Sequence, residues 1–359
     1  MRRLRIGING FGRIGRSVFR IIHQYGLFDV VAINDINPDP VNIAYLLRYD
    51  SMRGTFPGVV SVGGRGIFVN GHEVALHHCA NILDVPWAEL GVDVLIDASG
   101  VRENGVALAE SPNAVGHYIY THAMHAAYPE RRRNFTTSVA QKVKTVIFGV
   151  NEEQFNPQND RLISSSICDT IALGPVVKLL EGSYGIDSGF LTTLHPWLGD
   201  QNLMDGNPNP RRARDDKQSH FSLSRSAVNN LIPKTTTAVR AADAVFPGLS
   251  GKIESFSYRV PTNIVGSAVL NVTLERSADQ SGLIEMFHQF EREQKWSIIS
   301  NSTEPKVSGD YSGDEFSAII DHRWTVVKNN HQLRLVYWYD NEWGYSARVV
   351  DIVKLIAQS

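Results

Sequence analysis

A strand, a glycine-rich turn, a helix, a second strand and an acidic residue follow one another within the first 35 residues, and few patterns restrict a fold so tightly. "RLRIGING" places Leu4, Ile6 and Ile8 at alternate positions, the period of a strand. "GFGRIG" then supplies Gly10, Gly12 and Gly15, and the next stretch puts Ile14, Val18, Ile21, Ile22 and Tyr25 on one helical face before Gly26 ends it. The following strand, "VVAIND", ends at Asp35, 20 residues beyond Gly15. Gly10 allows the tight turn, Gly12 lets backbone approach a pyrophosphate and Gly15 packs helix on strand, while the helix N-terminus supplies N–H groups and positive dipole. The run Asn9, Gly10, Phe11, Gly12, Arg13, Ile14 and Gly15 is therefore read as a dinucleotide-binding turn. Asp35 would accept hydrogen bonds from a ribose diol and repel a 2′-phosphate, so NAD is favoured over NADP.

The βα rhythm continues through the first half. "DPVNIAYLLRYD" reads as a helix capped by Asp39 with Pro40 at its first position, and "IFVNGHEVAL" as a hairpin around Asn70 and Gly71. "VDVLIDASG" reads as a buried strand running into a small-residue loop at Ser99 and Gly100, against which a dinucleotide could lie. "HYIYT" and "KTVIFGVN" complete five or six units of a doubly wound sheet. Between these two, His122 and His125 lack acidic or cysteine partners, so no metal is expected, and Arg131 to Arg133 read as a solvated charge run.

After Cys168 the rhythm stops. One helix is expected over "CDTIALGPVVKLLEGSYG", bent early at Pro175 and stopped by Gly185. Long alternating strands follow in "GFLTTLHPW", "SFSYRV", "SAVLNVTLE" and "QLRLVYWY", with the amphipathic helix "LIEMFHQFEREQ" between them. Period-2 strands with few helices predict an α+β domain whose mostly antiparallel sheet has one covered face. A polar stretch, Gly199 to Ser226, has no period, and loops of that length are functional or disordered. The last helix, "SARVVDIVKLIAQ", is apolar enough to dock on another layer.

A chain of 359 residues fits two domains. With a formal net charge of -2 it offers no broad field for a polyanion, so nucleic acid is not an expected partner. No run approaches a membrane span, and the N-terminus lacks the apolar core of a secretory signal. Two cysteines far apart, Cys79 and Cys168, argue against a disulfide framework or a thiolate metal cage, no metal is expected, and a cytoplasmic protein is expected.

"GINGFGRIGR", "YDSMRGTF", "RVPT" at Arg259 to Thr262, "VSGDYSGDEFSAIID" and "YDNEWGYSARVVDIV" together resemble the glyceraldehyde-3-phosphate dehydrogenase family over nearly the whole chain. The resemblance implies a Rossmann-type NAD domain over residues 1–167, a catalytic domain over 168–340, a C-terminal helix from 341 to 359 packing back on the first, and a homotetramer. It implies Cys168 as nucleophile and His195 as catalytic base. Arg259 matches a substrate-phosphate ligand, Asn341 the residue holding the nicotinamide amide, with Tyr345 close behind, and Ser99 and Thr121 positions beside the nicotinamide. The chemistry would be oxidation of a small aldehyde: Cys168 adds to the carbonyl, His195 takes the hydroxyl proton, and loss of hydride to NAD leaves a thioester. A thiol at a helix N-terminus is expected to have a lowered pKa, with Asp169 pushing the other way.

The chain also departs from the family. Ile167 and Asp169 flank Cys168 where hydroxyls are usual, and Thr237 stands for a glycine, though Thr236 is retained. Leu198 and Asp200 replace the threonines that usually follow His195. "GDQ" at Gly199 to Gln201 and "YGIDSG" are similar to the erythrose-4-phosphate dehydrogenase branch, which can release product by hydrolysis. Thr236, Arg259, Asp200 and Arg212, the last within "RRAR", are the expected substrate-binding residues. Three readings stay open: a dehydrogenase of a small anionic aldehyde ending in hydrolysis, an ordinary phosphorylating enzyme, and an NAD-binding regulatory protein whose active site has drifted.

Overall fold

The computed structural model describes residues 2–64, 66–110, 115–124, 142–199, 201–207 and 221–358. Its first half is built on a nine-stranded sheet. The central strand Arg5–Asn9 pairs in parallel with Asp29–Asn34 on one side and Val94–Asp97 on the other, so successive βα units leave in opposite directions from it. At such a reversal the C-terminal strand ends splay apart and open a crevice. Ile6, Ile8, Ile33, Val94 and Ile96 are wholly buried there, because helices cover both faces of a parallel sheet.

The expected hairpin is found in this half, whereas one expected strand is shortened. The strands Val60–Gly63, Gly66–Val69 and His72–His77 form an antiparallel meander along one edge, so the sheet is only partly βα in build. Asn70 and Gly71, at φ +51° and +81°, make the expected hairpin turn and explain why no crossover helix is needed. "KTVIFGVN" is a strand only at Lys144–Thr145; beyond it Asn151 folds back, donating to the Thr145 carbonyl and accepting from the Ile147 N–H, so the apolar run is spent in a buried turn.

The second half carries an eight-stranded sheet that is mostly antiparallel, as expected. Strand Ile186–Pro196 lies between Ile253–Val260, parallel, and Gly266–Leu274, antiparallel, and Gln332–Tyr339 pairs antiparallel beyond that. This register sets His195 directly opposite Arg259. Alternate residues of Gln332–Tyr339 are buried, the pattern of a sheet with one covered face. Helix Cys168–Ser183 covers part of that face, touching Ile186–Pro196 and Ala318–Asp321. Pro175 lies within this helix, which nonetheless runs on to Ser183, and Gly185 at φ +70° closes it by donating to the Leu180 carbonyl. The C-terminal helix Trp343–Ala357 returns to pack on Arg13–Tyr25, the helix that follows the glycine turn. Among the described residues no helix is long and apolar enough to cross a membrane.

Candidate active site

The chain reaches Cys168 through a constrained step from strand to helix. Strand Leu162–Ser164 ends, and Ser166 then takes φ +59°, a left-handed conformation that costs a non-glycine residue roughly 1–2 kcal/mol. Three contacts offset that cost. Ser164 Oγ accepts the Ser166 N–H at 3.1 Å, Tyr345 OH donates to the Ser166 carbonyl at 3.0 Å, and the same phenol meets Ser165 Oγ at 2.7 Å. Helix Cys168–Ser183 begins at once, with Ile167 as its N-cap. The thiol thus stands at a helix N-terminus on the wall of a cavity of about 940 Å³.

His195 reaches the same point from the end of its strand. Its Nε2 lies 3.5 Å from Cys168 Sγ, and its Nδ1 is 2.8 Å from the Pro196 carbonyl. A carbonyl only accepts, so the ring proton belongs on Nδ1 and Nε2 turns a lone pair toward the sulfur. Asp169 completes the group, with Oδ1 3.6 Å from Sγ and 3.9 Å from Nε2. Its carboxylate is buried but not bare: Tyr339 OH donates to Oδ1 at 2.7 Å and Thr236 Oγ1 to Oδ2 at 3.2 Å.

Burial pushes the Cys168 thiol well above its ordinary pKa, and Asp169 pushes it the same way against the pull of Arg259. Contrary to expectation, the helix N-terminus does not make it a resting thiolate. Burial likewise drives His195 down to about 3, with Arg259 adding to the effect and Asp169 opposing it. Burial opposes ionisation of Asp169 too. Attraction to His195 in its protonated form, the Tyr339 hydrogen bond and the nearby Arg259 and Lys234 outweigh it and hold the carboxyl below its usual range. The resting arrangement is a neutral thiol and a neutral imidazole beside one carboxylate, and an imidazolium formed during reaction would find Asp169 within Coulombic reach.

The other end of the cavity meets the glycine turn. A Cβ on Gly10, at φ +87°, would stand 2.5 Å from Ser99, and one on Gly15 would stand 2.1 Å from the Gly10 carbonyl oxygen, so both glycines are demanded by the fold. Around Gly12 nothing lies within 4 Å, which leaves open space at the N-terminus of helix Arg13–Tyr25. An anionic ligand fits such a place, and the turn therefore suits a dinucleotide pyrophosphate. Asp35 stands just past the second strand, its Oδ2 accepting the Phe11 N–H at 2.7 Å. Asn9 and Asp97, on neighbouring strands, are tied by a 2.8 Å hydrogen bond, and Ser99 Oγ donates to Asp97 at 2.6 Å. Gly100, at φ +70°, has no neighbour within 4 Å either, and Thr121 Oγ1 donates to the Asp97 carbonyl.

Nine of the expected residues meet here. Arg13, Ile14, Thr121, Cys168, His195, Thr236, Arg259, Asn341 and Tyr345 all line the one cavity. Two of them are engaged differently from the reading. The Arg13 guanidinium bridges Asp50 and Glu342, and the Thr236 hydroxyl is committed to Asp169. Asn341 Oδ1 accepts the N–H of Val265, a β-branched residue held at φ +71°. Asp200, Arg212 with the rest of "RRAR", His125 and Arg131 to Arg133 lie outside the described residues. Lys234 and Tyr339 were not foreseen. A lysine before "TTT" is a legible signal for an anion site, whereas nothing in the sequence links Tyr339 to a carboxylate 170 residues away.

Two family models match the chain: one described as glyceraldehyde 3-phosphate dehydrogenase, NAD binding domain, over residues 4–105, and one described as glyceraldehyde 3-phosphate dehydrogenase, C-terminal domain, over 167–341. Full-length similarity agrees. The glyceraldehyde-3-phosphate dehydrogenase of Kitasatospora aureofaciens is 34% identical over 355 residues, covering 98% of this chain and 99% of that protein. Glyceraldehyde-3-phosphate dehydrogenase 2 of Bacillus subtilis is 34% identical over 355 residues, 99% and 97% of the two chains. The cytosolic glyceraldehyde-3-phosphate dehydrogenase of Chlamydomonas reinhardtii is 32% identical over 356 residues, 99% and 97%.

Proposed function

Because the chain belongs to the glyceraldehyde-3-phosphate dehydrogenase family, NAD-dependent aldehyde dehydrogenases, we propose that it oxidises a small phosphorylated aldehyde of the glyceraldehyde-3-phosphate or erythrose-4-phosphate type, through a Cys168 thioester with His195 as base. The observation that carries this reading is the 3.5 Å approach of Cys168 Sγ to His195 Nε2 on the wall of a cavity that extends to Arg13 and Ile14 of the glycine turn. Arg259 and Lys234 line the same cavity and suit an anionic substrate group.

The chemistry follows from the neutral pair. As sulfur adds to the aldehyde carbon, the thiol proton passes through His195 Nε2 to the carbonyl oxygen, giving a thiohemiacetal. His195 then withdraws the hydroxyl proton, and Asp169 stabilises the imidazolium. NAD, when bound, supplies the hydride acceptor, and a thioester on Cys168 remains. Asn341, Tyr345, Ser99 and Thr121 would hold the nicotinamide in this reading, and Asp35 would hold the ribose.

The carboxylate of Asp169, beside the sulfur, repels an anionic acyl acceptor and uses the Thr236 hydroxyl that such an anion would need. Water is therefore the favoured acceptor over inorganic phosphate, releasing a free acid and returning the thiol. The cations Lys234 and Arg259 support phosphate as the second reading. The proposal includes a division into domains near residue 167, a homotetramer and a cytoplasmic setting, carried over from the family.

Mixing the full chain with NAD and a panel of triose and tetrose phosphates, with and without phosphate, tests this reading by NADH formation. Turnover independent of phosphate is expected. A steep requirement for phosphate would replace hydrolysis by acyl-phosphate formation, and no NADH with any aldehyde would leave a drifted NAD-binding protein.

A further inference from the structure

Cys168 Sγ, Asp169 Oδ1 and His195 Nε2 form a triangle with edges of 3.5, 3.6 and 3.9 Å. A tetrahedral zinc ion with bonds of about 2.3 Å to sulfur and about 2.0 Å to nitrogen and oxygen needs edges of about 3.5 Å from the sulfur and about 3.3 Å between nitrogen and oxygen. The two edges from sulfur already fit, and the third, between Asp169 Oδ1 and His195 Nε2, closes with a side-chain movement of about 0.6 Å. We infer that these three atoms are a binding site for a borderline divalent cation, Zn²⁺ foremost, with the fourth coordination position open to the cavity.

Hydrogen bonds already orient two of the three ligands. The Pro196 carbonyl fixes the Nδ1 proton of His195 and so leaves Nε2 free to ligate. Tyr339 and Thr236 hold the carboxylate in place by donating to it. Binding expels one proton from the thiol, and thiolate plus carboxylate then balance the charge of the ion. Sulfur and imidazole select against Mg²⁺ and Ca²⁺, which take oxygen ligands. Arg259 and Lys234 oppose a cation here but sit outside the triangle, and one of the three ligands, Asp169, is the departure from the family sequence. While the metal is bound neither sulfur nor Nε2 can work, so the ion is a reversible inhibitor, a consequence that rests on the proposed dehydrogenase activity. The binding itself does not depend on that activity.

Titration of the purified full chain with Co²⁺ reads the site without any turnover. The expected result is one ion per chain, a sulfur-to-cobalt charge-transfer band in the near ultraviolet, visible bands of tetrahedral strength, and displacement of all of them by Zn²⁺. Cys168→Ser should abolish the charge-transfer band, Asp169→Asn should weaken Zn²⁺ by more than about 10-fold, and Thr236→Val, acting through the carboxylate, should weaken it about 10-fold. Wild-type protein gives a readout immune to misfolding. Saturating Zn²⁺ should slow alkylation of Cys168 by iodoacetamide at least about 10-fold, EDTA should restore it, and Cys79 labelling should be unchanged. No cobalt–sulfur band, or Cys168 alkylation indifferent to Zn²⁺, would overturn the inference whether or not the chain oxidises aldehydes.

Discussion

The two ends of the cavity are specified in different ways. At the glycine turn the requirements are backbone requirements: Gly10 and Gly15 have no room for a Cβ, and Gly12 has room that only a ligand would use. At the thiol the requirements are met by side chains converging from four places, the helix at Cys168, the strand at His195, the segment at Thr236 and the last strand at Tyr339. Backbone requirements tolerate no substitution, whereas a side-chain cluster can exchange a hydroxyl for a carboxylate and remain packed if new partners appear. Asp169, held by Tyr339 and Thr236, is such an exchange.

This contrast can be broken by mutation. Cys168→Ser should reduce NADH formation by about 10⁴-fold while leaving NAD binding intact, because the nucleophile is lost and the turn untouched. Steady-state rates together with NAD-induced fluorescence quenching separate the two effects. The catalytic half also hides a titrating group whose cost appears on acidification. Burial, with His288 adding, pushes His322 down to about 4 in the folded chain, against an ordinary value near 6.5. Its contribution is complete above about pH 6.5 and lost as pH falls through the interval to 4, since the unfolded chain takes the proton first. Screened by the solvent that reaches it, the loss is on the order of 1–2 kcal/mol, and urea unfolding at neutral and acid pH should give a shallower pH dependence for His322→Gln than for the wild type.

Effects of similar or smaller size sharpen the glycine side. Gly15→Ala would drive a methyl to 2.1 Å from the Gly10 carbonyl oxygen, and a destabilisation of about 1–3 kcal/mol is expected together with loss of NAD binding. Tyr339→Phe strips a donor from buried Asp169 and should cost about 1–2 kcal/mol of stability in a denaturant titration. Gly12→Ala meets no protein atom, so stability should stay within about 0.5 kcal/mol while NAD affinity falls, as calorimetry would read. Equal stability losses at Gly12 and Gly15 would erase the distinction between fold glycine and ligand glycine.

The same contrast explains what could be read in advance. The strand, turn, helix and acidic residue of the first 35 positions are local and periodic, and so were the helix beginning at Cys168 and the alternating strands around Thr193 and Tyr337. "KTVIFGVN" failed because a buried apolar run has no period to tell strand from turn, and Asn151 decided the matter through contacts four and six residues back. Pairing Cys168 with His195 came from family likeness; local pattern could not supply it. The Asp169–Tyr339–Thr236 cluster was invisible because its members are 67 and 170 residues apart and depend on sheet register. The neutral thiol was missed because a helix N-terminus is visible in sequence, whereas burial is not.

In the proposed reaction Cys168 carries the acyl group while His195 moves the proton. Rapid mixing of wild-type protein with NAD and an aldehyde phosphate, quenched in acid and read by mass spectrometry of the Cys168 peptide, tests it most directly. An NADH burst approaching one per chain is expected, with a matching acyl mass on Cys168 that decays to free thiol and acid without phosphate. A burst with no adduct on Cys168, or full turnover in Cys168→Ser, would contradict it.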